Sequence, residues 1–217
     1  GGYNAISQWV TDAEIYDPLA NTWTILPSLY PHGVGHTATL LKDGQVLVAG
    51  GCIGSGVCTN RVEIFYPPAS AWYEAAELPS DRASHASQLL NDGRVLVVGG
   101  GSAAGNPSGG DALLYNPASN SWSSTAAMVT PRLFAQTARL PDGRILVAGG
   151  TELTNAPVNA TAKSEIYDPA ANTWTETGAL AQPRYAFELA SLPDGHVIAA
   201  GGAREYGNTW TESSMVR

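Results

Sequence analysis

The apolar residues of this chain come in short runs, and the runs return on a fixed beat. Val46-Leu47-Val48-Ala49 and Val95-Leu96-Val97-Val98 are apolar at every position. A strand with one wet face would alternate, so an unbroken aliphatic strand predicts a sheet covered on both sides. The stretches around these strands read HTATLLKDGQVLVAGG, HASQLLNDGRVLVVGG, AQTARLPDGRILVAGG and FELASLPDGHVIAAGG. Each ends in a glycine pair, at Gly50-Gly51, Gly99-Gly100, Gly149-Gly150 and Gly201-Gly202, and a further pair, Gly1-Gly2, begins the chain. The spacings are 49, 49, 50 and 52 residues, and Trp23, Trp72, Trp122 and Trp174 keep the same period. One supersecondary unit repeated in space is expected.

Inside the unit, His36 to Leu41 and Gln45 to Ala49 flank Asp43-Gly44, which reads as a two-residue hairpin turn. The same dipeptide recurs at Asp92-Gly93, Asp142-Gly143 and Asp194-Gly195. A second hairpin runs from Ala13 to Tyr16, turns at Asp17-Pro18 and returns over Thr22 to Ile25, with relatives in every complete unit. Each unit therefore holds four antiparallel strands. Stacking such sheets around an axis dries both faces of each, which is the plan of a β-propeller. Tyr16, Phe65, Tyr115 and Tyr167, with the periodic tryptophans, supply flat area between sheets.

The residues VLVAGG, AEIYDP and NTWT resemble kelch repeats of the bacterial type LLxDGxVLVAGG…AEIYDPxxNTWT, over nearly the whole chain. The resemblance implies an all-β, kelch-type β-propeller, with residues 1–217 as a single domain of about four blades. Complete blades are expected at about 35–75, 84–124 and 134–175, and a composite blade is expected from 186–202 with 12–25. A tail at 203–217 resembles a fourth strand but lacks a recognisable third. Two arrangements stay open: a closed four-bladed ring, or a segment of a propeller with more blades. The absence of an initiator Met and the unfinished last unit favour the segment. A WD40 reading fits worse, because the period is too long and no Trp-Asp dipeptide closes a strand.

Charge narrows the partners. Lys+Arg total 11 against Asp+Glu 19, a net charge of −8, and Lys42 and Lys163 are the only lysines. No basic run exists, so neither nucleic acid nor an anionic membrane is an expected partner. No apolar run approaches the ~20 residues of a membrane span. Cys52 and Cys58 bracket IGSGV in one loop and read as a local disulfide, which implies an extracellular or periplasmic setting.

The two hairpin turns of each blade share one face and are nearly identical. The other face carries loops that vary: 3–11, 52–61, 101–111 and 151–164 in one set, and 26–34, 76–83, 125–133 and 177–185 in the other. Variable loops on a rigid scaffold are the usual place for recognition. Arg82, Arg132 and Arg184 each stand ten residues before the Asp of a turn, while Gly33, beside His32, fills that place in the first unit. Kelch domains of ubiquitin-ligase adaptors hold acidic peptides with arginines at the similar place. The resemblance therefore implies an anionic-ligand pocket; the competing reading is a structural arginine that bonds carbonyls between blades. Trp9, Tyr30, Tyr185 and Tyr206 are candidate aromatic platforms for sugars.

Chemistry is sparse. His36 and His85 share one repeat position and read as structural, since metal binding needs three or four ligands. No metal or cofactor is expected. A copper oxidase of the galactose-oxidase type requires a Tyr-His pattern that is missing here, and Glu188 with Arg184 is the only acid–base pair an epimerase could use. The expected function is a non-catalytic module binding a protein or glycan, the ligand being acidic if the arginines hold it. A sugar-active domain and a purely structural repeat array are the alternatives.

Overall fold

The computed structural model describes residues 2–3, 9–10, 12–27, 30–53, 57–102, 110–152 and 159–204. Among them are many strands, a 3-10 turn at Pro67–Ala69 and no α-helix. Among the described residues no helix is long and apolar enough to cross a membrane. The chain divides into two compact units, one of residues 1–83 with 102–105, the other of 84–101 with 106–217.

The first unit contains a four-stranded antiparallel sheet of Thr37–Leu40, Val46–Ala49, Val62–Tyr66 and Ala71–Glu74, each strand paired with the next in sequence. It also contains the hairpin Ala13–Asp17 with Thr22–Leu26, which stands as a two-stranded sheet. The second unit holds two such four-stranded sheets. One is formed by Ala86–Leu89, Val95–Val98, Ala112–Asn116 and Ser121–Ser124, the other by Gln136–Arg139, Ile145–Ala148, Ser164–Asp168 and Thr173–Thr177. Glu188–Ser191 and Val197–Ala200 follow as a hairpin. The four strands expected in each complete repeat are present.

The aliphatic second strands of the three complete repeats are largely buried, as their composition requires, whereas Val197–Ala200 alternates between half-buried and exposed. Val95, Leu96, Val97 and Val98 are all at or below 1% exposure. In the second unit one core cluster spans two sheets: Leu96 and Val98 of the first lie in it with Ile145, Val147 and Tyr167 of the next. Neighbouring inner strands are also tied by polar links, Thr137 Oγ1 donating to the Ser87 carbonyl at 3.1 Å and Ser191 Oγ to that of Arg139 at 2.7 Å.

The repeat motifs have local physical reasons. The inner turn differs from the two-residue hairpin expected. Leu41 N–H donates to Gln45 O, and Gly44 N–H to Leu41 O, so three residues form the loop and glycine alone takes the left-handed conformation, at φ 85°. This is a turn followed by a bulge. Its aspartate accepts from the backbone two residues on, and the same bonds recur at Asp92, Asp142 and Asp194. In the outer hairpin Tyr115 pairs with Trp122 across the strands, rings 5.0 Å apart. Its hydroxyl donates to Asn120 at 2.8 Å, and Asn120 has a positive φ, which asparagine tolerates. In the next repeat, Asn172 Oδ1 also accepts the Ala126 N–H at 3.0 Å, and Trp174 Nε1 donates to the Ala126 carbonyl at 2.7 Å. The YDPxxNTW pattern thus closes its own turn and fastens to the preceding sheet.

Candidate functional site

Loop 125–133, opposite the Asp-Gly turns, is pinned by a charged residue near the start of a covered strand. Glu165 lies in Ser164–Asp168 and is wholly buried. A carboxylate there is costly unless it is paired and hydrogen-bonded. Arg132, equally buried, meets it at 2.6 Å. The same guanidinium donates to the carbonyls of Thr130, Gly149 and Lys163 at 3.2, 3.1 and 2.8 Å. Glu165 in turn accepts the amides of Val129 and Thr130 at 2.7 and 3.0 Å. Burial pulls the Arg132 pKa below the usual arginine value, and the Glu165 charge opposes that shift. The unit ties loop 125–133 to the sheet edge and to the backbone before Ser164.

The other sequence-derived candidates fall in different places. Arg82 is buried at 1% exposure; its amide donates to Thr59 O and its carbonyl accepts from Gly51 N–H. Arg184 is half-buried, donates to the Gly201 carbonyl at 2.9 Å and lies 5.9 Å over the Phe187 ring. Arg132 and Arg82 present no surface to a ligand, so the expected arc of guanidinium groups is closed at these two. In the first repeat His32 stands in for the arginine, with Nδ1 2.7 Å from Gly50 O and Nε2 2.6 Å from Glu63 Oε1. Gly33 could not carry an arginine there. Its φ is +58°, and a Cβ would stand 2.1 Å from the Cys52 carbonyl oxygen.

The aromatic candidates also separate. Tyr185 is buried against Phe134, so the expectation of an exposed stacking ring fails there: the Tyr185–Ala203 backbone bridge holds it inward. The side chain of Trp9 and all of Tyr206 lie outside the described residues. Tyr30 is half-buried and central to a surface cluster. Its hydroxyl bonds Glu74, Arg61 stacks over its ring at 4.8 Å, and Arg61 pairs with Glu77. The bond to Glu74 raises the Tyr30 pKa above its ordinary value. Cys52 and Cys58 are joined as a disulfide, beside which Val34 pairs with Cys52.

Among the described residues no group of three or more His, Cys, Asp or Glu could hold a metal ion. His36 is held neutral by burial, its pKa lowered to about 4. Sequence reading missed Glu63 and Glu165. The signal was there, a carboxylate inside a strand whose neighbours demand cover on both faces. Arg61, Glu74 and Glu77 carried no comparable signal, because loop contacts at such separations follow no period.

Dry four-stranded meanders repeated every ~50 residues, with loops clamped on one side and uniform turns on the other, define the β-propeller class. The family described as Kelch motif matches residues 1–30 and 35–79. The solved structure of YjhT is similar to the chain, with a TM-score of 0.77 and 18% identity, over 94% of this chain and 72% of that one. No curated protein matches the sequence. The Kelch motif matches part of the chain, and the fold is an all-β one of propeller type with four-stranded antiparallel sheets. A fold shared so widely carries no ligand with it.

Proposed function

We propose that the protein is a non-catalytic binding module that holds a protein or glycan ligand on its loop side. The observation that carries this reading is the asymmetry of the repeats. The Asp-Gly turns repeat the same bonds four times, whereas the loops opposite differ in length and content on a clamped base. Since Arg82 and Arg132 are closed off, recognition would use outer loop groups, with the Tyr30–Arg61 stack as the aromatic element and Arg184 as the open cation. The Cys52–Cys58 disulfide supports an extracellular or periplasmic setting. A glycan array and a panel of acidic and neutral peptides, read with the wild-type protein and with Tyr30→Ala/Arg61→Ala, test the reading. A ligand should be retained and its affinity should fall at least ~10-fold in the double variant, about 1.4 kcal/mol, at unchanged melting temperature. Retention of nothing on either panel would leave a structural repeat array instead.

We further propose that 1–217 form one domain in which 12–25 and 186–202 share a blade. Ile198 stands in the repeat where Leu96 does, and Tyr16 where Tyr115 does. Both are exposed, at 50% and 42%, while their counterparts are fully buried. The support is in the repeat itself: 12–25 supplies only an outer hairpin and 186–202 only an inner one. A monomeric mass by light scattering with a single cooperative unfolding transition is expected. Two separate transitions, or concentration-dependent oligomers, would refute the shared blade.

A further inference from the structure

The surface cluster around Tyr30 lies wholly in the first unit and carries two carboxylates for one cation. Arg61 is already engaged. Its guanidinium covers the Tyr30 ring at 4.8 Å and pairs with Glu77, whose other oxygen accepts from Asn60 at 3.0 Å. Among the described residues the Glu74 carboxylate receives the Tyr30 hydroxyl, a neutral donor, and no cation. Both glutamates are exposed, so the uncompensated charge faces solvent. The repeat itself does not call for the cluster. Tyr30 stands where later repeats have Pro79, Val129 and Ala181, and Glu77 where the others have Ser28, Ala127 and Ala179. Side chains that serve a repeat recur in it, and these two do not.

We propose that this cluster is the docking site of a basic protein segment, an arginine of which pairs with Glu74 beside the Tyr30 ring. It rests on the binding-module reading and narrows the ligand to a cationic peptide. Arginine suits the site better than lysine, because its planar guanidinium binds a carboxylate and stacks on an aromatic face at once. Arg61 already makes both contacts from within the chain, one with the Tyr30 ring and one with Glu77. Glu74 is the carboxylate left for a partner.

Charge complementarity sets the sign of the ligand. Residues 1–83 hold 3 Lys and Arg against 8 Asp and Glu, and Arg82, one of the three cations, is buried. An acidic peptide would meet like charge at Glu74 and Glu77, and like charge across an interface rejects a partner. A neutral glycan would leave Glu74 without a counter-charge. The hydrogen bond to Glu74 raises the Tyr30 pKa, so the phenol stays a neutral donor and leaves the carboxylate its full charge.

NMR titration of the whole ¹⁵N-labelled protein with an octapeptide of alternating arginine and glycine tests the site, with a glutamate–glycine octapeptide beside it. The amide signals of Tyr30, Arg61, Glu74 and Glu77 should shift saturably with the first peptide and not with the second. Exposed charge pairs are individually weak, so Glu74→Gln/Glu77→Gln should lower the affinity about tenfold. Raising the salt from ~0.05 to ~0.5 M should weaken binding in the wild type. Asp43→Asn/Asp194→Asn removes the same charge from the Asp-Gly turns and keeps an oxygen for the backbone amides that bond there. It should bind as the wild type does. Equal weakening in the two double variants, or no shift at Tyr30 with the arginine peptide, would overturn the basic docking site. In that event a glycan or neutral peptide retained by the wild type leaves the binding-module reading standing, whereas retention of nothing on any panel overturns both.

Discussion

Replacing Arg132 with methionine is expected to lower the stability of the second unit by about 3–5 kcal/mol, the cost of leaving a buried carboxylate without its partner. The loss is large because nothing else neutralises Glu165, which is buried with two backbone amides bound to it. Three carbonyls each lose a guanidinium donor at the same time, and of these Lys163 keeps the Gly149 N–H. Urea unfolding followed by circular dichroism reads the effect as a lower midpoint. Arg144→Met is the control: its pair with Asp142 is about half exposed, and such pairs contribute about 0–1 kcal/mol. Adding Glu165→Leu to Arg132→Met should recover part of the loss, since an apolar pair of similar volume avoids the unpaired charge. Equal losses in Arg132→Met and Arg144→Met would show that the buried pair does not hold the repeat together.

The same pair marks the boundary of what the sequence discloses. The propeller was legible because its determinants are periodic: the doubly dry strand, the glycine pair, and the pair of Tyr or Phe with Trp that faces across each outer hairpin. Turn chemistry was nearly so. Asp43-Gly44 announces a turn, but only the Leu41–Gln45 hydrogen bond makes its loop three residues long. The role of the arginines was harder to read, since one residue type serves both a ligand pocket and a carbonyl clamp. Burial separates the two, and burial at Arg132 depends on Glu165, 33 residues further along the chain. The exchange of Arg for His32 moves the function by one residue, so repeat alignment alone points at Gly33. Tyr185 shows the converse failure. A loop position suggested exposure, whereas its bridge to Ala203 turns the ring inward.

Gly149→Ala is expected to destabilise the second unit by roughly 3–6 kcal/mol, and Gly201→Ala, at the same place in the next repeat, by only about 1–2 kcal/mol. Both glycines have positive φ, +62° and +75°, so both variants bear the ~1–2 kcal/mol cost of a side chain in the left-handed region. The difference is space. A Cβ at Gly149 would lie 2.6 Å from the Arg184 carbonyl oxygen and 2.6 Å from Cε1 of Phe187, whereas at Gly201 no described residue lies within 4 Å. Phe187 could rotate, but the carbonyl is backbone and accepts the Gly150 N–H at 2.8 Å. Moving it adds a strained contact of about 1–3 kcal/mol and a weakened hydrogen bond of about 0.5–1.5 kcal/mol. Urea midpoints of the two variants, measured side by side, isolate this crowding because the conformational cost is common to both. Equal midpoints would mean that the glycine pair is retained for its φ alone and that successive loops are not packed to backbone contact, in which case a clamped loop side would lose its support.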